Sequence, residues 1–229
     1  MRFPDKDNRK LAEFIGILLG DGSISNTYQY RVQITLNKNE LVYRKHVINI
    51  IRELFDIEPR IFLRKDENTV DIQFFKRELI KFLINDLGLK TAPKWERAII
   101  PDRYLNTALE KDILRGYFDT DGSLVLANNN GTLYPRLEMK ISPAPMQRSF
   151  IEILRRTGIK FGAYNIGRGK IRIQINGIKE INKWMDQIGI CNKNQSERLR
   201  VIAGAGIPGV LPHLNQRPQG FPQPMSHSL

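Results

Sequence analysis

The chain has 229 residues, 41% hydrophobic, with one cysteine and a formal net charge of +12. Its length suits one large or two small folded domains, and its most apolar run, residues 14–19, is far too short to cross a bilayer. The lone Cys191 excludes an internal disulfide framework, and Met1 to Lys6 lack the apolar core of a secretion signal, so an intracellular protein of a prokaryote or an organelle is expected.

In chain order, the first element is an amphipathic helix. Leu11, Phe14, Ile15, Leu18 and Leu19 recur at i, i+3, i+4, i+7 and i+8, and Asp21 stands just past the end. Gly16 and Gly20, four apart, give the helix a small-residue stripe, and Gly22 is expected to stop it. A strand follows, in which Val32, Ile34 and Leu36 alternate with Arg31, Gln33, Thr35 and Asn37. A helix is predicted over residues 40–55. A second alternating strand sets Val70, Ile72 and Phe74 against Thr69, Asp71, Gln73 and Phe75, and a helix is predicted over 77–87. Residues 90–109, with Pro93 and Pro101, read as a linker running over the surface.

The pattern then repeats. Ile113, Leu114, Tyr117 and Phe118 restore the helical face, Gly116 and Thr120 the stripe, and Asp121-Gly122 the ending. Leu137, Met139 and Ile141 alternate with Arg136, Glu138 and Lys140; a helix is predicted over 145–157. Ile171, Ile173 and Ile175 alternate with Lys170, Arg172, Gln174 and Asn176, and a last helix is predicted over 178–188. Residues 69–89 align with 170–190 without a gap, with identities at Ile72/Ile173, Gln73/Gln174, Ile80/Ile181 and Gly88/Gly189. The chain therefore reads as a duplication. An N-terminal half over 1–89, a linker over 90–109 and a C-terminal half over 110–192 are followed by a polar to Gly/Pro-rich tail over 193–229, expected to be poorly ordered from Gly204 onward.

Two chemical features stand out. A carboxylate at a helix C-terminus faces the negative end of the macrodipole, and placing one there twice, at Asp21 and Asp121, implies a compensating cation. His46, His213 and His227 lie far apart in sequence, so no zinc cluster is expected and the metal should be oxygen-ligated. Mg²⁺, held by one or two carboxylates and substrate phosphate oxygens, fits that requirement. The second feature is the polar strand faces. They mix Arg, Gln, Asn, Thr, Glu and Asp, the side chains that read base edges, on a basic chain. Lys38 and Lys140, with Asn37 and Ser142 at matching strand ends, are candidates for stabilising charge on a phosphate.

Residues 118–124 also look like the nucleophile motif of haloacid-dehalogenase-type phosphatases, with Asp119 attacking phosphate and Asp121 as acid/base. Against this, a helical pattern precedes the motif where a buried parallel strand is needed, and Leu19 stands at the nucleophile position of the first copy.

The paired signatures and the order of elements behind each resemble the LAGLIDADG homing endonucleases in their single-chain, double-motif form, over about residues 11–190. The resemblance implies two αββαββα halves in an α+β fold. Its signature helices would meet between the halves through Gly16, Gly20, Gly116 and Thr120, and two antiparallel sheets would make a saddle over the DNA major groove. It implies metal binding by Asp21 and Asp121 with the carbonyls of Gly20 and Thr120. Mg²⁺ would be the cofactor, with Mn²⁺ able to substitute and Ca²⁺ binding without cleavage. Lys38 and Asn37 match the family's basic and amide positions, and Ser142-Pro143 departs from them. DNA contacts would come from Arg31, Gln33, Thr35, Arg60, Arg64, Asp71 and Gln73 in one half. The other half would use Arg136, Glu138, Lys140, Arg168, Lys170, Arg172, Gln174 and Asn176. The expected activity is site-specific cutting of double-stranded DNA by a monomer. No splice-junction residues are seen, so an intron-encoded enzyme is expected, with an intron RNA maturase as the alternative.

Overall fold

In the computed structural model the described residues are 3–27, 29–129 and 132–197. The expected disorder from Gly204 onward falls outside them. Helix α1 (Arg9–Leu19) opens on Asn8, whose side chain accepts from the amides of Lys10 and Leu11 at 2.8 and 3.2 Å, satisfying two of the first-turn donors. Strands β1 (Gly22–Ser25) and β2 (Arg31–Asn37), helix α2 (Leu41–Phe55), strands β3 (Arg60–Leu63) and β4 (Thr69–Phe75) and helix α3 (Arg77–Lys81) complete the first half. A π-helical turn, Phe82–Asp86, continues α3. The second half repeats the order: α4 (Glu110–Asp121), β5 (Gly122–Asn129), β6 (Thr132–Ile141), α5 (Met146–Thr157), β7 (Gly162–Asn165), β8 (Ile171–Asn176) and α6 (Ile178–Gln187).

Each half holds a four-stranded antiparallel sheet, ordered β1-β2-β4-β3 and β5-β6-β8-β7. The registers correspond: Ile34 faces Ile72 in one sheet and Met139 faces Ile173 in the other. The period-two alternation puts Val32, Ile34, Leu36, Val70, Ile72 and Phe74 on a buried face. The Phe14 ring of α1 closes on Phe74 and on Phe55 of α2, with centroids 6.3 and 5.2 Å apart. In the second half Tyr117 packs on Phe150 and Phe118 on Trp184, at 4.5 and 4.9 Å.

The two halves meet through α1 and α4. Every residue from Leu11 to Leu19 is buried, because one side of α1 covers its own sheet and the other lies against α4. The small stripe makes the approach possible: a Cβ added to Gly16 would lie 2.1 Å from the Ile113 carbonyl oxygen, and one on Gly116 2.2 Å from that of Glu13.

Three expectations need correction. Gly122 ends α4 as expected, in extended backbone with φ −91°, but α1 already ends at Leu19, with Gly20 and not Gly22 at its cap. Gly22 and Gly122 are glycines because the chain folds straight back on the helix, where added Cβ atoms would meet the Leu18 Cα at 2.5 Å and the Phe118 carbonyl oxygen at 2.4 Å. The segment 90–109 is more than a surface linker, since Ala98, Ile100 and Tyr104 are buried. It docks on the second half, with the Glu96 amide donating to the Pro143 carbonyl and the Met146 amide to that of Ala98. Lys170 lies over the Trp95 ring. The segment after α6 reciprocates, reaching the first half through Asn192 Nδ2, which donates to Glu40 Oε1 at 3.1 Å. Finally, the helix predicted over 77–87 is present to Asp86, but it passes from α-helical to π-helical geometry after Lys81.

Candidate active site

The ends of α1 and α4 bring Asp21 and Asp121 together at the middle of the molecule. A Cβ on Gly20 would sit 3.0 Å from Asp121 Oδ2 and 2.0 Å from Thr120 Oγ1. Asp21 is half-buried and its carboxyl is pushed up to about 7, by burial first and then by the charge on Asp121. Asp121 is exposed and rises less, to about 6, through desolvation opposed by the pull of Lys94. Two carboxylates that resist ionising together form a site short of positive charge.

Part of that charge comes from Lys94. Its Nζ donates to the carbonyls of Leu18 and Leu19 at 3.1 and 2.8 Å and to that of Gly20, capping the last turn of α1. Burial pushes Lys94 down, while Asp121 and Asp21 pull it back up. An ammonium at a helix C-terminus opposes the macrodipole that would otherwise repel Asp21. The equivalent place after α6 is taken by Gln195, whose Nε2 donates to the Gly122 carbonyl at 3.0 Å and whose Oε1 is buried without a partner among the described residues. The pair of carboxylates therefore has a cation on one side and an amide on the other.

Each sheet turns its polar face away from the helices. In the first, a continuous chain of hydrogen bonds runs across the strands. Gln73 Nε2 donates to Gln33 Oε1 at 2.9 Å, Gln33 Nε2 to Thr35 Oγ1 at 3.3 Å, Thr35 Oγ1 to Asp71 Oδ1 at 2.7 Å, and Arg64 Nε to Asp71 Oδ2 at 2.9 Å. In the second, Glu138 gathers its neighbours: Gln174 Nε2 donates at 2.8 Å, Arg136 Nε lies 2.6 Å away and Arg172 Nε 4.0 Å. The sequence reading took Asp71 and Glu138 as groups presented outward. Both are buried, at 6% and 8% exposure, under the cations they hold. They pair with Arg64 and Arg136 and, at longer range, Arg172; Arg64 is exposed, while Arg136, Arg172 and the glutamines are half-buried beside them.

No protein-family profile matches the sequence. The chain is 26% identical over 201 residues to the replication factor C small subunit of Methanocaldococcus jannaschii, covering 85% of this chain and 10% of that protein. With the DNA polymerase of Thermococcus kodakarensis it shares 27% over 130 residues, 49% of this chain and 7% of that one. The chain thus spans a tenth or less of these relatives' length. Among solved structures, I-WcaI bound to its DNA recognition sequence superposes with a TM-score of 0.60 at 17% identity, covering 85% of this chain and 88% of that one. I-DmoI in complex with DNA and manganese gives 0.56 at 16% identity, covering 79% and 96%. Both are homing endonucleases with two signature helices in one chain. This is the LAGLIDADG homing endonuclease fold.

Within the LAGLIDADG fold, α1 and α4 are the signature helices, and Gly16, Gly20, Gly116 and Thr120 line their contact as the sequence indicated. Thr120 turns its hydroxyl inward, donating to the Tyr117 and Gly116 carbonyls at 2.9 and 3.3 Å. The Gly20 carbonyl, expected as a metal ligand, accepts instead from Lys94. Thr35 pairs with Asp21 through its amide, 3.1 Å from the Asp21 carbonyl, so two and three residues on, Asn37 at the exposed end of β2 and Lys38 in the exposed turn after it lie just past the level of the acid. Asn37 Oδ1 there accepts from the Asn39 amide and Asn68 Nδ2. Lys140 is exposed on the second polar face, opposite Arg172, and Ser142 is half-buried beyond it. Arg60 stacks over Phe75, and Arg31 pairs in register with the same residue; Arg168 and Asn176 are exposed.

Asp119, one candidate for a phosphatase nucleophile, is buried and points away from Asp121 into the second half's tail. Its carboxylate accepts from the amides of Cys191 and Asn192 at 3.0–3.1 Å, and it is pushed up to about 7 by burial. Sequence reasoning missed Lys94 and Gln195, which sit in segments read as connection and tail. Extending the gapless alignment of the two halves by five residues would have paired them.

Proposed function

We propose that the chain is a site-specific double-stranded DNA endonuclease that hydrolyses one phosphodiester in each strand, acting as a monomer with internal pseudo-two-fold symmetry. The observation that carries this is the meeting of Asp21 and Asp121, delivered by duplicated helices, at the centre of two polar, cation-bearing sheet faces. The fold is that of proteins solved with DNA and with manganese, magnesium and calcium, which supports the reading. A +12 charge supplies the attraction to phosphate, and Arg and Gln anchored by Glu138, Gln33 and Thr35 present preset donor patterns to base edges.

The residues present fit a hard divalent cation such as Mg²⁺, with Mn²⁺ able to replace it. Two carboxylates hold each other's charge in check, and their donors are all oxygen. When bound, such an ion would neutralise charge at the scissile phosphate and acidify an attacking water. Ca²⁺ would occupy the site without supporting cleavage. Asp21 and Asp121 hold the ion, and the Gly16–Gly116 contact fixes their separation. Lys94 adds a positive charge beside Asp21, while Lys38, Asn37, Lys140 and Ser142 extend the rim toward the strands of the duplex. The antiparallel sheets and the enclosed Asp119 speak against the phosphatase reading.

The test is to digest genomic DNA and a library of long randomised duplexes with the purified protein and Mg²⁺, then sequence the new ends. One recurring long site with a paired cut in both strands supports the proposal. Absence of cutting, with specific capture of intron RNA, would replace it by the maturase reading.

A further inference from the structure

We infer that Glu13, His46 and Cys191 form a second cation site, distinct from the aspartate pair and selective for a thiophilic divalent ion of the zinc class. Scattered over the sequence, these residues have no ligand spacing. The fold collects them where the strap after α6 crosses onto the first half. Glu13 Oε1 lies 2.6 Å from His46 Nε2, and a carboxylate oxygen, a ring nitrogen and the Cys191 sulfur all fall within 4.8 Å of one another. The sequence reading, which expected no zinc cluster because the histidines lie far apart, had no spacing from which to see this grouping.

The three donors are held from behind. Arg115 NH2 binds the other oxygen of Glu13 at 2.8 Å and is itself fixed by Asp112 at 3.0 Å, leaving Oε1 facing His46 and Cys191. Asp119 pins the Cys191 amide, so the main chain sets where the sulfur sits. One turn from His46 on α2, Tyr43 stacks on its ring at 5.9 Å; its hydroxyl is buried, at 1% residue exposure, and has no partner among the described residues. Burial first, then the charges of Asp119, Glu13, Cys191 and Asp21, push that hydroxyl well above its ordinary value. A buried hydroxyl that is orphaned among the described residues, on a ring stacked against His46, marks polar capacity left unsatisfied on this side of the helix pair.

The charge balance points the same way. Glu13, Asp112 and Asp119 are buried on this side of the helix pair, whereas Arg115 is the one largely enclosed guanidinium among them; Arg9, which reaches Asp112, is 78% exposed. Sulfur, nitrogen and oxygen together select zinc over magnesium, and three protein ligands leave a fourth position for water. Ligands around tetrahedral zinc stand roughly 3.3–3.8 Å apart at ordinary bond lengths, so the Glu13–His46 contact must open slightly. His46, with its side chain 25% exposed, can move and provides the way in. Binding releases the thiol proton, and any proton on His46, to water. Glu13 precedes Asp21 by eight residues, about 12 Å along a helix, so the two sites are separate.

The test is a Co²⁺ titration of the full-length, metal-free protein in excess Mg²⁺, read by absorption. The expected result is one equivalent of tetrahedral cobalt with a thiolate-to-cobalt charge-transfer band, displaced by Zn²⁺. Zinc should also raise the melting temperature. Cys191→Ser should abolish the band, His46→Ala should weaken cobalt binding at least tenfold, and Asp21→Asn should leave it unchanged. Absence of the band overturns the proposal. So does a band that survives His46→Ala and Glu13→Gln undiminished, since that reports a lone thiol. A band lost in the His213→Ala, His227→Ala double variant would place the ion in the tail and equally overturn it.

Discussion

Replacing Gly16 by alanine tests the packing that brings the two acids together. In an exposed helix the change would stabilise the protein by about 1 kcal/mol, because glycine is the poorer helix former. At this position the new Cβ would lie 2.1 Å from the Ile113 carbonyl oxygen, 2.8 Å from the Tyr117 nitrogen and 3.0 Å from the Gly116 Cα. All three obstacles are backbone, so no side-chain rotation relieves them, and α1 and α4 must part by roughly 1 Å. Overpacking typically costs about 1–3 kcal/mol, and the upper end applies where the obstacle is a rigid helix. Allowing for the gain in helix propensity, a net loss of about 2 kcal/mol should lower the melting temperature by roughly 4–8 °C in a chain of this size. Displacing the aspartates by about 1 Å should also slow cleavage by about 10²-fold. Calorimetry in metal-free buffer and single-turnover cleavage would measure both. Gly116→Ala, 2.2 Å from the Glu13 carbonyl oxygen, should behave alike, and the double variant should cost less than the two effects added because one separation relieves both clashes. A Gly16→Ala protein that melts at or above the wild-type temperature would refute the close helix contact.

Asp21 keeps its proton to about pH 7 in the folded state and to its ordinary value of 3.8 when unfolded, so metal-free stability should fall as pH rises between those values. Asp21→Asn should therefore melt several degrees higher than wild type at pH 8 without metal and equally at pH 4, while losing cleavage; equal melting at pH 8 would argue against the raised carboxyl. Because Lys94 lowers both carboxyls, Lys94→Met should move the acidic limb of the cleavage–pH profile to higher pH and, by exposing three carbonyls, destabilise the fold. An unmoved limb would remove Lys94 from the site. Gln33→Ala and Arg172→Ala should each relax preference at one or two base pairs, by roughly 1–3 kcal/mol per contact, in a profile of all single-base target variants. Uniform weakening would mean these strands hold phosphate and do not read bases.

What could be read in advance followed periodicity. Long helices and the central strands β2, β4, β6 and β8 announce themselves through 3.6- and 2-residue patterns because each has one face in the core. The edge strands β3 and β7 do not. All four residues of β3 are exposed, with Leu63 at 70%, so burial imprints no alternation on them. Asp21 and Asp121 were legible because duplication wrote them twice. Lys94, Gln195 and the Glu13–His46–Cys191 cluster were not, because each depends on a strap from one half landing on the other, and such long-range docking leaves no local spacing. Asp71 and Glu138 were placed on the right face and given the wrong exposure, since alternation reports direction and says nothing of which neighbours fold over a side chain.

The Glu13–Arg115 pair bears on how the two halves find each other. The duplication aligns Glu13 with Ile113 and Arg115 with Ile15, so the acid and its guanidinium occur once each, on opposite helices. Two N-terminal halves brought together would set each Glu13 against Ile15, leaving a carboxylate oxygen in hydrocarbon on both sides of the joint. Stripping one partner from a buried ion pair costs about 3–5 kcal/mol, and a symmetric pairing would incur it twice. Two C-terminal halves would still have Asp112 beside each Arg115, but neither would bring the acid its guanidinium now holds. During folding, and between neighbouring chains at high concentration, the correct match is thus the one in which unlike halves meet. A contact that contributes modestly within one molecule becomes a lock against exchange between molecules.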